Sequence, residues 1–402
     1  MLLGIEKVLF FISIFFGLYQ IVMSFFALIK GKEKPKTINK NHKFMAVICA
    51  RNEETVILNL IESLKEQDYP KELIDIYVVA DNCSDNTATI ANGAGAIVLE
   101  RFDKEKKSKG YALEYFCEYI LKNKPNEYDA FCVFDADNIV SKDFYKKMNE
   151  KLCEGEKIVQ GYRDIKNPGD TWVTGNYAIF YWMMNRFYHY TRYKIGLSPL
   201  INGTGFMVAM SVIKESKGWH TKTLTEDIEF SLNAIADGYT IGWANDAKVY
   251  DEQPLEFKKS CRQRMRWSVG HIQCLKYCLP RLIKAKKHSA VMLDSIIYLL
   301  GMPLVVISLI LIVIGAIRIL ILDQEIINFV VKTIIGGILL ILQALLIVLI
   351  EGKNVKKIIK GIVTYPIFLL SWFLINVIAI FNTKIEWKQV SHVKSMSIKD
   401  IN

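Results

Sequence analysis

Asp129-Ala-Phe-Cys-Val-Phe-Asp-Ala-Asp137 is the stretch that decides the fold. The run from Asp129 to Phe134 reads as a short buried strand, and two carboxylates, Asp135 and Asp137, follow it directly. The arrangement recurs upstream. Phe44-Met-Ala-Val-Ile-Cys49 leads into Arg51-Asn-Glu-Glu54, and the strand pattern from Ile74 to Ala80 leads into Asp81-Asn-Cys-Ser-Asp85. A further strand is expected at Ala96 to Leu99. Ile57, Leu60, Ile61 and Leu64 share one helical face, and Leu113 to Lys122 reads as another helix. Alternation of strand and helix from Lys43 to about Tyr250 implies an α/β domain with a mostly parallel sheet covered on both faces. Ligands of such sheets bind beyond the carboxyl ends of the strands. Three polar clusters fall at those ends.

Oily segments enclose this domain. Val8 to Ile29 carries no charge and exceeds the roughly 20 residues that cross a bilayer core. Ser295 to Ile317 and Ile326 to Ile350 also read as spans. A fourth stretch, Ile362 to Phe381, contains Pro366. The first segment is longer than the apolar core of a secretory signal and lacks a following small-residue cleavage site, so an uncleaved anchor is expected. Lysines cluster beside the spans: Lys30, Lys32, Lys34 and Lys36 after the first, Lys353, Lys356, Lys357 and Lys360 after the third. That placement puts the polar domain in the cytoplasm and the chain in the plasma membrane as a multi-pass protein. If the fourth stretch crossed, the tail with Lys384, Lys388, Lys394 and Lys399 would lie outside, against its charge. The expectation is therefore three crossing spans and one that does not cross. The divisions are 1–30 for the anchor, 31–260 for the catalytic domain, 261–290 for an interfacial amphipathic region, 291–381 for the membrane region and 382–402 for a cytoplasmic tail.

The net charge of +10 suits nucleic acid or a membrane surface, and its concentration beside the spans favours the membrane and membrane lipids, with no nucleic acid. All eight cysteines lie between Cys49 and Cys278 without paired CxxC spacing, which argues against zinc and against a disulfide framework.

Asp135 and Asp137 are the candidate metal site. One or two carboxylates on a hard divalent ion leave positions open for a phosphate, as departure of a nucleoside diphosphate requires. A structural turn is the alternative. An aspartyl-phosphate phosphatase would want Thr where Ile139 stands. Asp81 is suited to accept a hydrogen bond from a nucleobase or ribose, and Asp85 to cap the helix beginning near Thr87. Lys109, in Lys107-Ser-Lys-Gly110, is placed to meet phosphate, or belongs to a solvated charge run. Thr225-Glu226-Asp227 opens a helix. Either it is a capping box, or a carboxylate there takes a proton from an acceptor hydroxyl. Gln263, Arg266 and Trp267 bring an amide, a cation and a flat ring together. Trp267 can stack on a sugar and Arg266 can clamp a pyrophosphate, while an interfacial anchor is the plain alternative.

In order, Asp81, Asp135-Ala-Asp137, Thr225-Glu-Asp227 and Gln263-Arg-Met-Arg-Trp267 resemble the membrane-embedded family-2 glycosyltransferases, the group of cellulose, chitin and hyaluronan synthases. The resemblance spans Phe44 to Trp267, with a weaker match at Trp387 to His392. It implies a GT-A fold, a UDP-sugar donor, Mn2+ or Mg2+, and inversion at the anomeric carbon. Carried across, it implies donor contacts from Glu53, Asp81, Lys109, Asp135, Asp137, Gln263 and Arg266. Asp135 and Asp137 hold the metal, and Asp227 is the base. Glu226, Trp267 and Gly203-Thr204 of Asn202-Gly-Thr-Gly205 face the acceptor. Glu252 and Pro254 match the usual Glu-x-Pro.

The reading is an inverting hexosyltransferase that extends a β-linked glycan from UDP-glucose or UDP-N-acetylglucosamine at the cytoplasmic face. Transfer of one or a few sugars to a membrane lipid is the alternative, and an accessory subunit is allowed. A non-catalytic subunit would tolerate loss of Asp135, Asp137 or Asp227, all present here. A transporter would want more intramembrane charge than Asp294 and Lys332 supply.

Overall fold

The computed structural model describes residues 2–29, 38–285, 289–321, 326–382, 396 and 398–400. The lysines from Lys30 to Lys36, Lys384, Lys388 and Lys394, and the Trp387–His392 match, lie outside them. After helix α1 (Leu2–Phe26), the domain opens with β1 (Phe44–Ala50), α2 (Ile57–Lys65), β2 (Ile74–Asp81), α3 (Thr87–Gly93) and β3 (Ile97–Arg101). It continues with α4 (Lys109–Asn123), β4 (Ala130–Asp135), β5 (Ile139–Val140), α5 (Phe144–Cys153) and β6 (Ile158–Ile165). Helix α6 (Trp172–Met183) then runs through a π-helical segment, Met184–Tyr190, into α7 (Thr191–Lys194). Next come β7 (Phe206–Ala209), α8 (Met210–Ser216), α9 (Glu226–Ala236) and β8 (Gly242–Asp251). The chain closes with α10 (Phe257–Lys284), α11 (Ala290–Ile321), α12 (Ile326–Ile350) and α13 (Val355–Phe381).

The period-2 alternation of a strand explains why β1 is apolar throughout. Phe44, Ala46 and Ile48 pack against Ile57, Leu60, Ile61 and Leu64 of α2 and Phe144 and Met148 of α5. Met45 and Val47 face the opposite layer, with Leu113, Phe116 and Ile120 of α4. Both faces are covered, as the strand–helix alternation implied.

The sheet itself is mixed. Its order is β3-β2-β1-β4-β7-β6-β8-β5. β3, β2, β1 and β4 are parallel, but β7 is antiparallel to both β4 and β6, and β5 is antiparallel to β8. β6 and β8 are parallel again, so the expectation of a mostly parallel sheet holds, with β7 and β5 the antiparallel exceptions. The second half hides its strands in polar sequence. All eight residues of β6 are buried, including Gln160, Arg163 and Asp164, because partners satisfy them. Gln160 Nε2, for example, donates to the carbonyl of Thr204 at 3.0 Å.

Four helices are long and apolar enough to cross a membrane: Lys7–Phe26, Ala290–Ile317, Ile326–Ile350 and Val355–Phe381. The last is an unbroken helix of 27 residues with Pro366 inside it, about 40 Å long at 1.5 Å per residue. Proline therefore does not interrupt this segment. Its first half packs on α6, where a Cβ on Gly361 would lie 2.7 Å from the carbonyl carbon of Gly175. The turn before it is tied to the domain: the Tyr162 hydroxyl donates to Glu351 at 2.6 Å, Arg186 pairs with Glu351 at 2.8 Å, and Lys353 with Asp164 at 2.6 Å.

Candidate active site

A cavity of about 400 Å³ opens at the carboxyl ends of β1, β2 and β4 and is lined by every residue to which the sequence reading gave a donor, acceptor, base or metal role, apart from Thr204. Three groups meet in it.

At the first, Asp81 ends β2 almost fully buried. Arg51 pairs with its carboxylate, Arg101 donates to Oδ1 at 2.7 Å and Asn82 to the same oxygen at 2.8 Å. Two guanidinium groups thus flank Asp81: Arg51, from the polar cluster after β1, and Arg101, which the sequence reading did not include. The Glu53 amide donates to the Thr87 hydroxyl at 2.8 Å. Asp85 lies one residue before the cap position, Asn86, and accepts from the Thr87 amide at 3.0 Å.

The second group follows β4. The Asp135 amide donates to Asn138 at 3.0 Å and to the Thr204 hydroxyl at 3.1 Å, so the Asp-x-Asp turn is fastened to the Asn202–Gly205 loop. Thr204 itself acts as this fastener, away from the cavity lining. Asp137 accepts from the Glu252 amide at 2.8 Å. Lys109, at the start of α4, pairs with Asp135 and donates to the Gly203 carbonyl at 2.7 Å. It is no solvated charge run. Burial alone would depress the Lys109 ammonium, but Asp135 and Glu226 outweigh it and hold its pKa above the ordinary value. Among the described residues no three His, Cys, Asp or Glu side chains converge as a complete metal cage. A pair of hard carboxylates beside an open cavity fits a divalent ion that takes its remaining ligands from phosphate and water.

Asp227 and Glu226 form the third group, in the first turn of α9. The capping-box reading fails: Thr225 makes no side-chain cap, and its hydroxyl lies 3.4 Å from Cys274 Sγ. Asp227 Oδ1 accepts from the Ile228 amide at 2.9 Å. Its Oδ2 faces Gly203, where a Cβ would come to 3.5 Å. Burial, then Asp227, pushes Glu226 up to about 7. Burial likewise raises Asp227, opposed by Lys109 and Arg163.

Gln263, Arg266 and Trp267 share one face of α10, as i, i+3 and i+4 positions must, and all line the cavity. Trp267 sits among Tyr177, Tyr181 and Trp372, with ring centroids 6.0, 6.5 and 6.1 Å away. It is a cavity residue rather than an interfacial anchor. The anchoring arginine is Arg264, on the adjacent face, which donates to Ser371 at 2.9 Å and to the Phe368 carbonyl at 3.2 Å in α13.

The sequence reading missed Arg163, which is paired with Asp251 and donates to the Asn202 carbonyl at 2.9 Å. It also missed Tyr298 and Met302 of α11 and Trp372 and Asn376 of α13, which carry the cavity onto the membrane helices. None sits in a recognisable motif.

A mixed sheet, parallel except for β7 and β5, with acidic residues at the carboxyl end of its central strand is the GT-A glycosyltransferase fold. The family described as "Glycosyltransferase like family 2" matches residues 42–270, and the chain belongs to that family. The probable glycosyltransferase YdaM of Bacillus subtilis is 30% identical over 258 residues, 61% of this chain and 59% of that protein. A β-monoglucosyldiacylglycerol synthase of Trichormus variabilis is 25% identical over 233 residues, 56% of this chain and 48% of its own length. Glucomannan 4-β-mannosyltransferase 7 of Arabidopsis thaliana is 27% identical over 195 residues, 47% and 34%. The chain thus spans between a third and three-fifths of these relatives. Mannosyltransferase PcManGT from Pyrobaculum calidifontis, solved with GDP-Man and Mn2+, superposes with a TM-score of 0.63 at 13% identity, over 94% of this chain and 99% of that one. It shares the fold.

Proposed function

We propose that this chain is an inverting hexosyltransferase that moves glucose or N-acetylglucosamine from a UDP-sugar onto a hydroxyl acceptor at the cytoplasmic face of the plasma membrane. The observation that carries the reading is the meeting at Gly203. Its carbonyl accepts from the lysine that pairs with Asp135, and its Cα faces Asp227 Oδ2. One glycine therefore separates the diphosphate end of the cavity from the base. A side chain at Gly203, whose φ is +76°, would be strained and would crowd the carboxylate.

The reaction is a single displacement. Asp227 takes the proton of the acceptor hydroxyl, and the oxygen forms a bond to the anomeric carbon as the bond from that carbon to the UDP oxygen breaks. Burial favours this step, because a carboxylate raised above its ordinary pKa is a stronger base. Lys109 and Arg266 supply positive charge toward the phosphates, and Trp267 a flat face for the acceptor sugar. Glu53 and Asp81, with Arg51 and Arg101 behind Asp81, line the nucleoside end. Asp135 and Asp137 would hold Mn2+ or Mg2+, whose charge would offset that of the departing diphosphate.

Two acceptors compete. Gln-x-x-Arg-Trp supports repeated addition to a β-linked glycan. The second reading, a membrane lipid receiving one or a few sugars, is supported by Tyr298, Met302, Trp372 and Asn376, which bring the cavity wall from helices α11 and α13. The relatives' names span both chemistries.

The test is UDP release from a panel of UDP-sugars by purified membranes with Mn2+, comparing the wild-type protein with Asp227→Asn, and sizing the product. Mutant-sensitive release from one donor supports the reading. A long product identifies the glycan acceptor, and a short lipid-extractable one the glycolipid. Absence of mutant-sensitive release from every donor overturns it.

A further inference from the structure

Helices α12 and α13 are both long and apolar enough to cross a membrane, yet they meet the domain differently. In α12 the buried residues, Ala344, Ile347 and Val348, fall near its end, while Ile327, Ile334, Ile338 and Leu342 stand exposed. In α13 burial runs from Ile358 to Ala379.

Helices α6 and α10 follow α13 side by side, in the same direction. At its start, a Cβ on Gly169, just before α6, would lie 2.7 Å from Lys357 Cγ. The Asn176 side-chain amide of α6 donates to the Thr364 hydroxyl at 2.9 Å, and the Phe180 ring centroid lies 4.8 Å from that of Trp372. From α10, Arg264 donates to Ser371 at 2.9 Å and the Ser268 hydroxyl to Asn376 Oδ1 at 2.6 Å. Val269 and Ala379 close the series in one apolar cluster with Met302. Lys357 and Ala379 are about 33 Å apart along the helix axis, more than the roughly 30 Å hydrocarbon core of a bilayer. A crossing α13 would therefore draw its neighbours into the core with it. Helix α10 would bring Arg262, Gln263 and Arg266. Trp372 and Asn376 would bring the cavity that they line together with Asp135 and Asp227. A hydrocarbon core disfavours such charges.

The opposite face of α13 touches no other part of the domain. Ile359, Val363, Ile367, Leu370, Leu374 and Ile378, each between 48% and 61% exposed, form one stripe at helical spacing. Lys356, Lys357 and Lys360 are exposed in the first two turns, where cations suit anionic headgroups.

We infer that α13 lies in the plane of the membrane, one face on α6 and α10 and the stripe from Ile359 to Ile378 in the acyl chains of the cytoplasmic leaflet. Its hydropathy equals that of a span because one apolar face packs on protein and the other on lipid. The seating leaves α1, α11 and α12 as the crossing helices and keeps Asn382 on the domain's side, which the lysines beyond it favour. It also makes α13 the wall between the cavity, lined by Trp372 and Asn376, and the lipid outside Leu370 and Leu374. The inference rests on the cytoplasmic placement proposed above and not on the transfer chemistry.

The test uses the full-length protein in vesicles of phosphatidylethanolamine and phosphatidylglycerol. The six stripe residues are replaced one at a time by p-acetylphenylalanine, which carries a nitroxide and leaves the eight native cysteines untouched. Depth is read from the balance of oxygen and nickel-chelate relaxation, with a label at Ile338 of α12 as the deep reference. In-plane seating puts all six labels at one level, about 5–10 Å into the headgroup and acyl boundary, and Ile338 near the middle, about 15 Å from either surface of the core. A depth that rises from Ile359 to a maximum near Ile367 and Leu370 and falls again at Ile378 overturns the proposal in favour of crossing. Labels all as open to the chelate as a water-exposed site overturn it too, since no lipid then covers the stripe. The unsubstituted chain supplies a second measurement that no label can perturb: fused at its C-terminus to green fluorescent protein or to alkaline phosphatase in bacteria, it gives fluorescence without phosphatase activity. Phosphatase activity with a depth maximum in mid-helix confirms crossing and overturns the inference. Phosphatase activity with level depths upholds the in-plane seating and overturns the cytoplasmic placement instead.

Discussion

Asp227→Asn separates chemistry from structure more cleanly than other changes in the cavity. Oδ1 accepts from the Ile228 amide, and an asparagine oxygen can do the same. What changes is the oxygen facing Gly203, which becomes an NH2 that cannot take a proton. The first turn of α9 keeps Glu226 and Glu229, so the helix loses one of three favourable charges, about 0.3–1 kcal/mol. Burial already disfavours the Asp227 anion, which offsets part of that loss. Stability should therefore move by less than about 1 kcal/mol, while loss of a general base lowers kcat by about 10²–10⁴-fold. At 1.36 kcal/mol per decade that is about 2.7–5.4 kcal/mol of barrier. Single-turnover UDP release measures the rate, and direct UDP binding checks the donor site. A variant within about tenfold of the wild-type rate would refute the base assignment. An equal loss of UDP affinity would show that Asp227 organises the donor instead.

Three further outcomes follow from the same geometry. Burial raises Asp227 above the ordinary aspartate range and couples it to Glu226, so kcat should fall as acid protonates Asp227, with the inflection moved down in Glu226→Gln. The linked stability runs the other way: the folded state holds the Glu226 proton that the unfolded chain gives up near 4.5, so stability declines as pH rises from there to about 7, a slope that Glu226→Gln should flatten in thermal melts. Asp137→Asn should abolish the gain in UDP-sugar affinity on adding Mn2+ while leaving the melting temperature nearly unchanged; a retained Mn2+ response, read by equilibrium binding with and without EDTA, would remove Asp137 from the ion. Gly361→Val forces a side chain into the α6 backbone and should destabilise the detergent-solubilised protein by about 1–3 kcal/mol, seen as a lower melting temperature.

The strands β1 and β4 were legible in the sequence because they are buried on both faces and read as apolar runs. Asp81, Asp135 and Asp137 were legible too, since the carboxyl end of a strand is a position that local pattern defines. Hydropathy alone likewise marked the four apolar segments, although Pro366 suggested a break that the continuous α13 does not have. Tertiary structure decided the rest. Strand β6 buries Gln160, Arg163 and Asp164, and a buried charge looks like an exposed one until its partner is placed beside it. Asp251 supplies that partner for Arg163 from 88 residues away. Whether Thr225 caps α9, whether Trp267 faces lipid or the cavity, and which helices close the cavity over Asp227 all depend on contacts between segments distant in the chain. Local propensity carries no information about those contacts, because they exist only once the segments have packed.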